Sequence, residues 1–144
     1  MRTVRIKNSI TSDEYLNRIG RENISGFRGV YSRDKAAKLI PKMKPGQSLI
    51  INLDPKYSFG GSHWTAIRKS TESPIYMYAD SFGAGPPEDV RGAALSTGRG
   101  LVYSNRIHQK ISEKNCGKRA LLWLMLMADA GQLKKELEVF QKLA

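Results

Sequence analysis

Cysteine is nearly absent from this chain: among 144 residues there is one, Cys116, and there are only two histidines. A lone thiol cannot close an internal disulfide, which fits a reducing compartment or a thiol kept for chemistry. Long apolar runs are missing as well. The longest, Ala120 to Ala128, is too short to span a bilayer, so no membrane partner is expected. The leading residues Met1-Arg2-Thr3-Val4-Arg5 contain no apolar signal core, so secretion is not expected. There is no repeat, low-complexity tract or linker, and no zinc-ligand spacing, helix-turn-helix or RNA-recognition signature. These absences leave a single domain over 1–144, long enough to bury about two-thirds of its unfolded surface. With 40% apolar and 26% charged residues, its composition is that of a globular protein.

Negative charge is scarce too. Against 24 Lys and Arg stand 13 Asp and Glu, for a net charge of +11. The first 44 residues hold eleven of the basic side chains and four of the acidic ones. A second basic group comprises Arg99, Arg106, Lys110, Lys114, Lys118 and Arg119. A small soluble domain needs a net charge of only about 2–8, so the excess points to a polyanion, most simply non-specific DNA. Arg2, Arg5, Lys7, Lys114, Lys118 and Arg119 are the candidate DNA-binding side chains.

What is present reads as an α+β fold. Thr11 and Glu14 are spaced as a capping box for a helix that would run to Ile19 and end at Gly20. Ser32 opens a short helix through Leu39, stopped by Pro41. Gly26 to Gly29 and Pro45-Gly46 read as turns. Ser48 to Leu53, His63 to Arg68 and Pro74 to Ala79 read as strands. Pro87 begins a helix to about Leu95 that would end at Gly98. Leu101 to Tyr103 and Arg106 to Gln109 suggest a fourth, interrupted strand. Asn115 begins the apolar helix, and Leu133, Leu137, Phe140 and Leu143 mark a last amphipathic one. Helices thus flank a small central sheet, mixed or antiparallel.

Cys116 stands at the expected start of the apolar helix. The N–H groups there have no intrahelical partners, and the helix end carries about half a positive charge, which favours a thiolate. His63, at the start of a strand, has the chemistry to take the thiol proton, while Trp64 should point to the opposite face and pack. Asp80 closes the next strand. The short connection over Lys69 to Ser73 would set it beside His63, where a carboxylate orients the ring and stabilises its cation. Asp54 and Glu72 are rival carboxylates. Gln109 precedes Cys116 by seven residues, and its amide would join the Cys116 N–H in binding an oxyanion. His108 should face the other way along its strand, and Asn105 is a weaker rival as orienter or donor. No metal site is expected.

The ordered set Gly61-Ser62-His63-Trp64, Asp80 before Phe82-Gly83, and Gln109 seven residues before Cys116-Gly117 resembles the adenovirus-type (adenain-like) cysteine proteases. It resembles more loosely the Ulp1-like peptidases that process ubiquitin-like proteins. Phe27 to Asp34 and Leu49 to Asp54 look like the short maturation proteases of virophages and Polinton-type elements. The resemblance covers residues from about 12 to 130. It implies a papain-like, Ulp1-like core with the nucleophile at a helix N-terminus. It also implies a thiol protease that cuts capsid or scaffold precursors after small residues such as Gly-Gly during virion maturation; no feature of the sequence demands a dimer, so a monomer is expected. Such a protein would work in the virion or the host cytoplasm or nucleus. Some family members are activated by DNA, which would suit the charge. The adenovirus enzyme's disulfide-linked peptide cofactor has no second cysteine to join here, and no other cofactor is implied. Two alternatives stay open: a deconjugase of ubiquitin-like tails, and a non-enzymatic basic DNA-binding or packaging protein.

Overall fold

In a computed structural model, residues 12–53, 63–72, 75–97, 100–104 and 116–143 are described. In chain order the elements are α1 (Asp13–Asn23), β1 (Phe27–Ser32), α2 (Arg33–Leu39), a 3-10 turn (Ile40–Lys42), β2 (Ser48–Leu53), β3 (His63–Lys69), β4 (Ile75–Ala79), α3 (Glu88–Thr97), β5 (Gly100–Tyr103), α4 (Cys116–Ala130) and α5 (Leu133–Leu143). The fold is mixed α+β. The five strands lie in sequence order in one sheet. The outer pairs β1–β2 and β4–β5 are parallel, and the inner pairs β2–β3 and β3–β4 are antiparallel.

Both faces of the sheet are covered. Ile50, Trp64, Ala66 and Met77 pack beneath α1, α4 and α5. Leu49, Ile51, Ile67, Tyr76 and Tyr78 pack beneath α2, the 3-10 turn and α3. That explains why β2 reads as a continuous apolar run, since a strand covered on both sides has no polar face to present. It also explains α4, whose buried residues Cys116, Gly117, Ala120, Leu121, Trp123, Leu124, Met125 and Met127 occupy most of its circumference. The helix lies against β3 with α1 and α5 on its flanks.

Two expectations are corrected. Phe27–Ser32 is a strand, not the continuation of a turn begun at Gly26. Gly29 sits in an edge strand whose register with β2 shifts between Phe27 and Val30, and such irregularity hides a strand from a periodicity argument. Helix α1 does not stop at Gly20 but runs to Asn23. Gly20 is there because an added Cβ would collide with the Phe27 ring. The residue that caps α1 is Ser12, whose side chain accepts the Tyr15 N–H at 3.2 Å. Thr11 lies outside the described residues, as do Asn115 and the expected strand at 106–109. Among the described residues no helix is long and apolar enough to cross a membrane.

Candidate active site

The site is built at the end of the sheet where β3 starts and β4 stops. Asp80 follows β4 directly, and its turn fixes it. The Gly83 N–H donates to the Asp80 carbonyl at 2.9 Å, and the Phe82 N–H donates to Asp80 Oδ1 at 2.8 Å. Gly83 takes φ +76°, a left-handed conformation suited to glycine. Asp80 is thus a turn-forming residue whose carboxylate is oriented by its own loop. In the β3–β4 register Ala66 pairs with Ala79. Carried three residues on, that register sets His63 opposite Phe82.

The consequences appear in the side chains. His63 Nε2 lies 2.7 Å from Asp80 Oδ1, with 13% and 3% of the two side chains exposed. The Phe82 ring stacks on the imidazole, with centroids 4.4 Å apart and planes at 19°. Burial disfavours the imidazolium, but hydrogen bonds and charge from Asp80 and then Cys116 outweigh it and push the ring from 6.5 up to about 9. The other ring nitrogen, Nδ1, is buried and closes no hydrogen bond of good geometry among the described residues. The Cys116 thiol acts on the same ring and adds to the rise.

Cys116 is the first residue of α4, buried at 6% exposure and in no disulfide. Its position gives the sulfur the positive end of the helix and leaves its backbone N–H without an intrahelical acceptor. A cavity of about 220 Å³ adjoins it, lined by Asp80, Ser81, Trp64, Trp123 and Arg119 among others. Trp64, on the other face of β3 from His63, is buried in the core and donates its indole N–H to Asp13 Oδ1 at 2.6 Å. Asp13 also receives the Asn52 amide at 2.9 Å, so the start of α1 is tied to the strands beside the site.

Other candidate residues are sorted by position. Glu72 lies at the opposite end of β3, where its N–H meets the Ser70 hydroxyl, so Asp80 and not Glu72 reaches His63. Asp54, Asn105, His108 and Gln109 lie outside the described residues, as do Arg2, Arg5, Lys7 and Lys114. Arg119 lines the cavity. Lys118 instead sits 5.7 Å from the centroid of the Tyr15 ring, which Arg18 also approaches at 5.7 Å. Phe82 belongs to the sequence resemblance, but the sequence assigns its ring no contact with His63. Its signal was available only through the strand register, because nothing in the run Asp80-Ser81-Phe82-Gly83 says that its third residue faces the histidine. Among the described residues no group of three His, Cys, Asp or Glu side chains is placed to hold a metal ion.

The arrangement holds an imidazole between a fixed carboxylate and a thiol, with its proton-accepting range raised. It is suited to exchanging a proton with the sulfur and to stabilising the resulting charge pair.

No family model and no curated protein matches the sequence. Solved structures do. The chain is similar to the ASFV pS273R protease, with 16% identity and a TM-score of 0.58 over 85% of this chain and 59% of that one. A second, Se-Met structure of that protease aligns at 15% identity and a TM-score of 0.52, over 93% and 68%. The SUMO protease Ulp1, solved with its catalytic cysteine oxidised to a sulfinic acid, aligns at 12% identity and a TM-score of 0.51, over 91% and 74%. At these identities the likeness establishes the fold alone, which this chain shares with both proteases. This chain spans only 59% of the length of the first of these proteins.

Proposed function

We propose that the protein is a cysteine endopeptidase in which Cys116 is the nucleophile, His63 the base, Asp80 the residue that orients it, and Gln109 an oxyanion donor. The observation that carries this reading is the 2.7 Å contact of His63 Nε2 with Asp80, on a ring whose proton affinity is raised by Asp80 and then by Cys116, the first residue of α4.

His63 takes the Cys116 proton on Nδ1, giving a thiolate–imidazolium pair. The thiolate adds to the scissile carbonyl carbon, and the carbonyl electrons move to oxygen. The Cys116 N–H and the Gln109 amide stabilise that oxyanion. As it collapses, the C–N bond breaks and His63 returns the proton to the departing amine, leaving a thioester on Cys116. Water, losing a proton to His63, adds to the thioester. The carboxylic acid product then leaves and the thiol is restored. Asp80 stays ionised throughout and holds Nε2–H.

The substrate class in this reading is a capsid or scaffold precursor cut after small residues such as Gly-Gly, in the manner of the viral maturation proteases that the sequence resembles. DNA is the proposed non-specific partner and activator, supported by the charge of +11. Its binding should weaken steeply as salt rises. No detectable duplex binding at about 50 mM salt would reduce the charge to a solubility feature.

Alkylation by iodoacetamide tests the site directly. Cys116 should react near neutral pH, and His63→Ala should suppress that reaction without unfolding the protein. Equal labelling of both proteins would sink the assignment. A Gly-Gly precursor peptide run beside a ubiquitin-like fusion then separates maturation protease from deconjugase.

A further inference from the structure

We propose that Phe82 is the positioning residue of this site: its ring fixes the plane of the His63 imidazole for proton exchange with the Cys116 thiol. The inference rests on the cysteine-protease reading and adds a residue to it.

Phe82 touches both partners of the charge pair. Its ring lies nearly parallel to the imidazole, at 4.4 Å and 19°, and its N–H donates to the same Asp80 oxygen that His63 engages. A hydrogen bond at Nε2 alone leaves the imidazole free to swing about that bond. A flat neighbour at stacking distance removes the freedom, because turning the ring edge-on would drive it into the Phe82 face. The aromatic face is also electron-rich, so it favours the cationic form of a ring laid over it. Asp80 from the end of β4 and Cys116 from the start of α4 are the titratable groups acting on His63 among the described residues. Phe82 carries no charge, so its influence is separable from theirs.

The alkylation rate of Cys116, measured on the full chain at about pH 6 and about pH 9.5, reads this geometry. An unassisted thiol, with its ordinary pKa of about 8.5, reacts well only at the higher pH. An imidazolium held against the sulfur preserves the thiolate at the lower one. Phe82→Leu keeps apolar bulk and loses the flat face, so the low-pH rate should fall on the order of tenfold while the high-pH rate holds. Phe82→Tyr and Phe82→Trp should retain the wild-type ratio. Cleavage by Phe82→Leu should show reduced kcat with KM little changed, since ring placement matters to proton transfer and not to peptide binding.

A wild-type ratio in Phe82→Leu overturns the proposal, and so does equal loss in the Tyr and Trp variants. A rise at both pH values in Phe82→Leu also overturns it, because the buried thiol would then merely have been uncovered. A wild-type protein with no low-pH reactivity defeats the cysteine-protease reading itself, and this inference with it.

Discussion

Strand β3 has a cation–carboxylate pair at each end, and the two are built differently. At its end near α5, Arg68 Nε meets Glu136 Oε2 at 3.0 Å with 2% and 0% of the side chains exposed. Glu136 also accepts from the Thr71 hydroxyl at 2.6 Å and the Thr71 N–H at 3.2 Å, and Arg68 Nη1 reaches the Gly46 carbonyl at 3.1 Å. Both members of the pair hold further partners, and α5 is fastened to the sheet. At the other end, Asp80 is just as well fixed by His63 and the Phe82 N–H, yet among the described residues His63 Nδ1 has no well-formed bond. The first pair is built to stay as it is. The second has a ring nitrogen left to trade a proton, and on the proposed reading that difference marks which pair does chemistry.

The largest expected effect separates the ends by activity. Cys116→Ala should lower peptide cleavage by about 10⁴-fold or more, because members of such a constellation act as a unit. Its melting temperature should stay near that of the wild type. A Cys116→Ala protein that still cleaves would erase the distinction. The mirror experiment is Glu136→Ala. Leaving Arg68 buried and unpaired should cost about 3–5 kcal/mol, read as a loss of roughly 10–20 °C in Tm. An unchanged Tm would mean that the Arg68 end is not the anchor its geometry indicates.

Gln109→Ala sharpens the reactive end alone. Loss of one oxyanion donor should reduce kcat by roughly 10²–10³ with little change in KM, and full activity would remove Gln109 from the site.

The smallest effect is a pH dependence of stability. The His63 ring is raised in the folded protein to about 9 from 6.5. A raised pKa means that folding holds the proton more tightly. The added stability is therefore complete below about pH 6.5 and lost as pH rises through about 9. Thermal melts across that window should fall more steeply for the wild type than for Asp80→Asn, whose imidazole lacks the carboxylate. Parallel curves would contradict the cause assigned to the shift.

Parts of this organisation are legible in the chain and parts are not, for physical reasons. Strands β2, β3 and β4 declare themselves through apolar and aromatic runs, and the short connection after Lys69 makes β3 and β4 neighbours. The approach of Asp80 to His63 follows from that hairpin, because a chain that turns back so soon must align the start of one strand with the end of the next. Strand β1 stays hidden since Gly26 and Gly29 carry turn chemistry into an irregular edge strand. Gly20 reads as a stop signal, although its role is to make room for Phe27. The Phe82 stack needs a register, and the Arg68–Glu136 pair joins residues 68 positions apart, a partnership no local pattern announces.

The hairpin also has a kinetic meaning. His63 and Asp80 are 17 positions apart, so base and carboxylate can meet as soon as β3 and β4 close on one another. Cys116 is a distant arrival. It joins only when α4 docks across the sheet, a long-range contact that forms slowly relative to a local one. A chain still growing from the ribosome therefore carries a poised base with no nucleophile beside it. In the proposed enzyme, the nucleophile would meet its base only at that docking step.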